Sequence, residues 1–486
     1  MLEIVDREAE GARLRELADS GVPRLALVYG RRRIGKTYLL SNLWDRRRVF
    51  YFTASVTTPE QNRRHLIREA ARWSNSELRP EDYPTWRTAF GMLLNLRAPD
   101  PVVLVIDEFQ YLGKDLEDLV VVTSELNAAW ETRRPDRSLL FVISGSSTRT
   151  LEALDAGGAP LHGRLAWKAR LDPFDYRDAG RMVPYRDLRT RACAYGVFGG
   201  VPHYLAAVDV GRPLAENIAQ LMLSPRGEVR GQVETAILQE QGLREIPKYR
   251  AILAAVGAGR TALNEIAGRA GLPNDTSLRR MVERLVSLGY VAKRRNLGAK
   301  RTELYRYGVE DPAFRFYYEM VAPRESMLEI HDPRSVWTEL LEGRLDTYMG
   351  HVFESMVQQA YRRLREPRGL PLVEEWSRWE GLDREGAPLE VDIAVRLADG
   401  RVLTGEVKWS RSPLDVRVHF DHLAKIERLA AAGVGWAHRA REGESPLLYV
   451  AAGGFSEAFV SAARPSREAV YLWTLEDFYA PDSEGR

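Results

Sequence analysis

The sequence predicts an α/β protein whose amino-terminal half is a parallel-sheet nucleotide-binding core, followed by helical modules and a second α/β unit. Three observations predict it. Residues 30–37 read Gly-Arg-Arg-Arg-Ile-Gly-Lys-Thr, a complete G-x-x-x-x-G-K-T pattern. The buried-strand run 102–106 ends in Asp107-Glu108. Beyond residue 346, a strand carrying Asp392 precedes one carrying Glu406-Val-Lys408.

The glycine loop lies between the apolar run Leu25–Tyr29 and a helical pattern from Tyr38 to Leu43. Strand, glycine turn and helix form the context in which backbone N–H groups curl around phosphate and the helix end adds a positive field. Gly30, Arg31, Arg32, Arg33, Ile34, Gly35, Lys36, Thr37 and Tyr38 are therefore the expected ATP-binding residues. Lys36 is expected to reach the β- and γ-phosphates, and the Thr37 hydroxyl to ligate Mg²⁺.

Strands are expected at 24–29, 48–53, 102–106 and 139–143, with another near 168–172, alternating with helices. That rhythm gives a parallel sheet covered by helices. At the carboxyl edge of such a strand, Asp107 would hold Mg²⁺ and Glu108 would polarise the attacking water. Hydroxyls in Ser144-Gly-Ser-Ser147 would sense the γ-phosphate or the lytic water. Arg164 is a candidate for stabilising transition-state charge, in its own subunit or a neighbour.

Composition fits an ordinary globular chain: 486 residues, 45% hydrophobic, 28% charged and net charge +2. Overall charge gives no argument for nucleic acid, although arginines cluster locally. The lone Cys193 excludes intrachain disulfides and cysteine-rich zinc sites. The amino terminus carries no targeting pattern, and no apolar run reaches the roughly 18 residues of a membrane span. A cytoplasmic enzyme with no membrane partner is expected.

The expected division is an ATPase core over 1–182, a helical lid over 183–245, a winged helix-turn-helix over 246–310, a connector over 311–345 and a final domain over 346–486. In 246–310, apolar residues at 278, 281, 282, 285 and 286 keep a helical stripe, capped by Asp275 or Thr276. A basic hairpin follows. Arg279, Arg280 and Arg284 are candidate major-groove contacts, and Lys293, Arg294, Arg295, Lys300 and Arg301 candidate wing contacts to DNA phosphates. Such a module also serves in packing or protein contact.

In the final domain, Glu390 and Asp392 share one face of a strand, as do Glu406 and Lys408 on the next. Asp392, Glu406 and Lys408 would converge as two metal-binding carboxylates and a water-orienting lysine, the arrangement of metal-assisted phosphodiester hydrolysis. Glu354 on a preceding helix is a candidate extra ligand, and His419, His422 and Lys425 follow on a later one.

Two resemblances sit on these residues. Asp6-Arg7-Glu8, the glycine loop, Ile106–Tyr111, Ser144–Ser147, Leu161–Arg164 and Gly199-Gly-Val-Pro-His-Tyr204 resemble the archaeal-type P-loop ATPases of the AAA+/STAND group, which carry a C-terminal domain of unknown function. This resemblance implies a helical lid and a ring-like homo-oligomer or a protein partner. Asp392 with Glu406-Val-Lys408 resembles the PD-(D/E)xK, restriction-endonuclease-like fold, although no proline precedes Asp392. Three functions remain open: an ATPase with an active nuclease, a nucleotide switch with silent C-terminal modules, and an ATP-gated DNA-binding regulator.

Overall fold

The computed structural model describes residues 5–45, 47–96, 101–240, 243, 245–299 and 305–480. The chain forms two compact units, one of residues 1–174 with Val201–His203, the other of 175–200 with 204 onward.

The first unit is a five-stranded sheet of β1 (Arg24–Tyr29), β2 (Val49–Thr53), β3 (Val102–Asp107), β4 (Leu139–Gly145) and β5 (Trp167–Arg170). Its order is β2-β3-β4-β1-β5, and every pairing is parallel. Both faces are covered, so β3 and β4 are buried at every residue and read as continuous apolar runs. Leu27, Leu104, Ile106 and Phe141 enter one core; Val28, Val103, Val105 and Val142 enter the other. This period-two alternation aligns the carboxyl ends of β1, β3 and β4 along one sheet edge.

The second unit contains three helices, Ile246–Gly257, Leu263–Ala270 and Thr276–Ser287, then the antiparallel ribbon of β6 (Val291–Arg294) and β7 (Arg306–Val309). Leu278, Met281, Val282 and Leu285 are the buried stripe of the third helix, and the Asp275 side chain caps it by accepting from Leu278 N–H. A second five-stranded sheet follows: β8 (Val373–Leu382), β9 (Pro388–Leu397), β10 (Val402–Lys408), β11 (Leu447–Ala451) and β12 (Val470–Trp473). β8, β9 and β10 pair antiparallel, while β10, β11 and β12 pair parallel.

Residues 311–345 are the stretch expected as a connector. They form short helices, and Phe314, Phe316 and Tyr317 are buried. Phe314 packs on Tyr290 at 4.7 Å, and Phe316 on Tyr348 at 5.5 Å, between ring centroids. Aromatic rings of this size stabilise most when buried together, and they tie the three-helix segment to the long helix Glu342–Leu364. Among the described residues, no helix is long and apolar enough to cross a membrane.

Candidate functional site

In the first unit, Gly30 ends β1 at φ +152°, and a Cβ there would collide with the Leu171 carbonyl oxygen and the Ile34 side chain. Gly35, at φ +91°, opens the helix Lys36–Asn42. Both positions need glycine, and the loop between them wraps around the Lys36 ammonium. Lys36 Nζ donates to the carbonyls of Gly30 and Arg31 at 2.8 and 2.9 Å. Arg31 and Ile34 are buried, Arg32 donates to Tyr111 Oη at 2.6 Å, Arg33 adopts φ +69°, and Tyr38 is exposed. Pro202 approaches the loop as well: its Cγ would lie 3.9 Å from a Cβ on Gly35.

Thr37 Oγ1 donates to Asp107 Oδ2 at 2.8 Å. The same oxygen accepts from Tyr51 Oη at 2.6 Å, across the β2–β3 pairing. Burial first, then the Asp107 charge, pushes the Tyr51 phenol well above its usual range, so it remains a donor. A hydroxyl and a carboxylate at one point are hard oxygen donors that fit Mg²⁺, with Tyr51 orienting the carboxylate.

Glu108 occupies the left-handed region at φ 52° and ψ 40°. For a residue with a Cβ that pose costs about 1–2 kcal/mol, and strain of this kind clusters at functional sites. Its Oε2 accepts from Ser146 Oγ at 2.7 Å and from Gln110 Nε2. Gly145 leaves the space that the Gln110 amide fills, since a Cβ there would strike Gln110 Oε1. Of the three hydroxyls in Ser144–Ser147, Ser146 thus meets Glu108, Ser147 pairs with Thr150 at 2.7 Å, and Ser144 is buried inside β4. Tyr51, Gln110 and Pro202 were not among the expected site residues. Only the register of β2 on β3 and the turn after Glu108 bring the first two in.

Arg164 does not reach the phosphate loop of its own chain. It is ion-paired with Glu131 and lines a hollow with Pro23 and Arg24, at the start of β1. The loop lies at the other end of that six-residue strand, roughly 17 Å away at about 3.3 Å per residue.

In the second unit, the β9–β10 register pairs Ile393 with Gly405 and sets Asp392 beside Glu406. Lys408 Nζ bridges them, at 2.9 Å from Asp392 Oδ2 and 2.8 Å from Glu406 Oε2. Glu406 Oε1 takes Lys425 Nζ at 2.7 Å and His422 Nδ1 at 3.2 Å. Burial alone would raise the Glu406 carboxyl, but His422, Lys408 and Lys425 outweigh it and hold it well below its usual range. Asp392 is raised by burial and by the Glu406 charge, and Lys408 is raised by the two carboxylates against its burial. His419 faces elsewhere, bonding Tyr449 Oη at 2.8 Å.

Glu354 is raised to about 7, by burial before the charges of Asp392 and Glu390, and pairs with Arg378 at 3.2 Å. Oxygen donors suited to a divalent cation are present, yet ammonium and guanidinium groups fill their bonding directions. Among the described residues no group of three or more His, Cys, Asp or Glu side chains has a metal-holding arrangement. Of the expected ligand set, Asp392 is ion-paired with Lys408, Glu406 with Lys408 and Lys425, and Glu354 with Arg378.

Arg279 and Arg280 are exposed on the third helix of the three-helix segment, and Arg284 is half-buried. Lys293 pairs with Glu283 at 2.5 Å and Arg294 with Glu310 at 3.2 Å. Arg295 lies 5.1 Å from the Tyr305 ring centroid. Lys300 and Arg301 lie outside the described residues.

Residues 4–208 match a family described as an ATPase domain predominantly from Archaea, and residues 317–419 match one of archaeal and bacterial proteins of unknown function. An uncharacterized protein of Methanocaldococcus jannaschii is 25% identical over 416 residues, 83% of this chain and 87% of its own. Among solved structures, a Walker-type ATPase of Pyrococcus abyssi is 20% identical at a TM-score of 0.47, covering 65% of this chain and 96% of that one. The ORC2 protein of Aeropyrum pernix, in ADPNP-ADP complexes, is 14% identical at 0.43, covering 68% and 95%. By the family match, the chain carries an archaeal-type P-loop ATPase domain over residues 4–208, while residues 317–419 are similar to the archaeal and bacterial proteins of unknown function.

Proposed function

We propose that the protein binds Mg-ATP and hydrolyses it, and that its second unit engages DNA. The observation that carries the first part is the meeting of Thr37, Asp107 and a strained Glu108 at the sheet edge beside Lys36. Lys36 and the loop N–H groups would grip the phosphates, and Thr37 with Asp107 would hold the magnesium. When bound, Mg²⁺ offsets charge on the β- and γ-phosphate oxygens. Glu108 accepts a proton from the attacking water, and Ser146 and Gln110 orient its carboxylate. Arg164, remote from its own loop, serves the site of a neighbouring copy in a homo-oligomer. Lys36→Ala is expected to abolish tight nucleotide binding. Glu108→Gln is expected to keep binding and to slow turnover about 10²-fold or more; turnover at the parental rate removes Glu108 from this role.

For the second unit, the three helices and ribbon support a winged-helix reading, with Arg279, Arg280 and Arg284 toward a DNA groove. Asp392, Glu406 and Lys408 support a nuclease-like reading of the final sheet. A second reading, a nucleotide-dependent switch with a silent nuclease-like site, is favoured by the saturation of Glu406 by Lys408, Lys425 and His422. Plasmid nicking with Mn²⁺ that disappears in Lys408→Ala, at an unchanged ATPase rate, supports cleavage. No nicking together with nucleotide-dependent DNA binding supports the switch.

A further inference from the structure

The hairpin expected as a DNA-contacting wing is bonded to the final sheet just after β6. Asn296 Nδ2 donates to the Glu380 carbonyl at 2.7 Å, and Glu380 N–H donates back to Asn296 Oδ1 at 3.1 Å. Ser377 Oγ donates to the Arg295 carbonyl at 3.0 Å. Leu297 is buried in the same core as Val391 and Trp436. A flexible arm would show none of these bonds, so β6 and β8 act as two walls of one body.

Between those walls is a cleft of about 480 Å³. Arg295 and Tyr305 line the ribbon side, Trp376 and Arg378 the β8 side, with Glu354 and Asp392 also in its lining. The acids are recessed: the Glu354 side chain is 21% exposed, Asp392 10% and Glu406 2%. A volume in the small-ligand range holds about one or two nucleotides. Aromatic faces beside cations are the means by which proteins hold unpaired bases and their phosphates. Arg378 now spends its guanidinium on Glu354, Glu380 and Glu390, and a phosphate is an equivalent bidentate partner.

We propose that this cleft takes an unpaired DNA strand next to a duplex and leads its backbone toward Asp392. Trp376 and Tyr305 contact the bases, while Arg295 and Arg378 contact the phosphates. The inference deepens the nuclease-like reading and takes from it only the reason for a strand to be brought there; the binding itself needs no cleavage.

The test uses the full chain in a metal chelator, with fluorescence anisotropy on a labelled blunt duplex and on the same duplex bearing an overhang of about six nucleotides. The overhang is expected to tighten binding about tenfold or more. Tyr305→Ala and Arg295→Gln, at partly exposed positions, are each expected to remove most of that gain, and Tyr305→Ala to leave the blunt-duplex affinity unchanged. Arg295→Gln is also expected to reduce the salt dependence on overhang DNA by about 0.7 in log–log slope. An overhang that adds nothing overturns the proposal, as does a gain that survives in the double variant. Added Mn²⁺ separates the two readings. An overhang gain without cleavage keeps the cleft and removes the nuclease. Cleavage inside the blunt duplex without an overhang gain keeps the nuclease and removes the cleft.

Discussion

Thr37 Oγ1 stands 2.8 Å from Asp107 Oδ2, joining the first turn of the glycine-loop helix to the end of β3 across 70 residues of sequence. Tyr51 reaches the same oxygen from β2. Three neighbouring elements thus converge on one carboxylate, and each contact is open to test.

Tyr51→Phe removes a hydrogen bond that orients Asp107 without touching nucleotide. Outer partners of this kind are worth roughly tenfold or more in metal affinity. The Mg²⁺ concentration for half-maximal ATP hydrolysis is expected to rise about tenfold, with little change in kcat at saturating metal. A Mg²⁺ titration of the ATPase rate reads it directly.

Gly145→Ala places a methyl where the Gln110 amide now sits. Gln110 must move, and Glu108 loses one of its two orienting partners. The expected result is a fall in kcat of about tenfold or more, with nucleotide Kd by calorimetry little changed. A loss of affinity equal to the loss of rate would instead mean that the strand end had collapsed.

Leu297→Ala cuts into the core that holds the ribbon against the final sheet. A buried leucine shortened to alanine costs about 2–5 kcal/mol. A free wing would lose almost nothing. Thermal unfolding of the second unit is expected at a clearly lower temperature, while nucleotide binding by the first unit is retained.

The Glu354 carboxyl is raised to about 7 by burial, above its ordinary value of 4.5. Below the ordinary value it is neutral in both the folded and unfolded states and contributes nothing. Between the two values the folded state holds a proton that the unfolded state has lost, so stability falls as pH rises, levelling off above about 7. Glu354→Gln is therefore expected to stabilise at pH 8, on the order of 1–3 kcal/mol, and to have little effect near pH 4. Denaturant melts at the two pH values measure the difference.

The sequence by itself determined the elements whose chemistry is local. The glycine loop announces its turn because Gly30 and Gly35 need backbone conformations open to few other residues. β3 announces its burial because an apolar run covered on both faces shows no alternation. Asp107 with Glu108 and Glu406 with Lys408 were readable as candidates because each pair sits within one short strand-end pattern, and Asp392 because it lies on the strand just before the second pair. Tertiary structure alone decided the rest. Tyr51 and Gln110 join the nucleotide site through strand register and a turn, which leave no spacing signal. Lys425 and His422 reach Glu406 from the helix that follows β10, and only the packing of that helix on the sheet pairs them with its carboxylate. Arg164 lies at the end of β1 remote from its own glycine loop, and the aromatics of 311–345 are buried. Local patterns encode φ, ψ and burial, whereas the partner of a charge is set by which distant surfaces pack together.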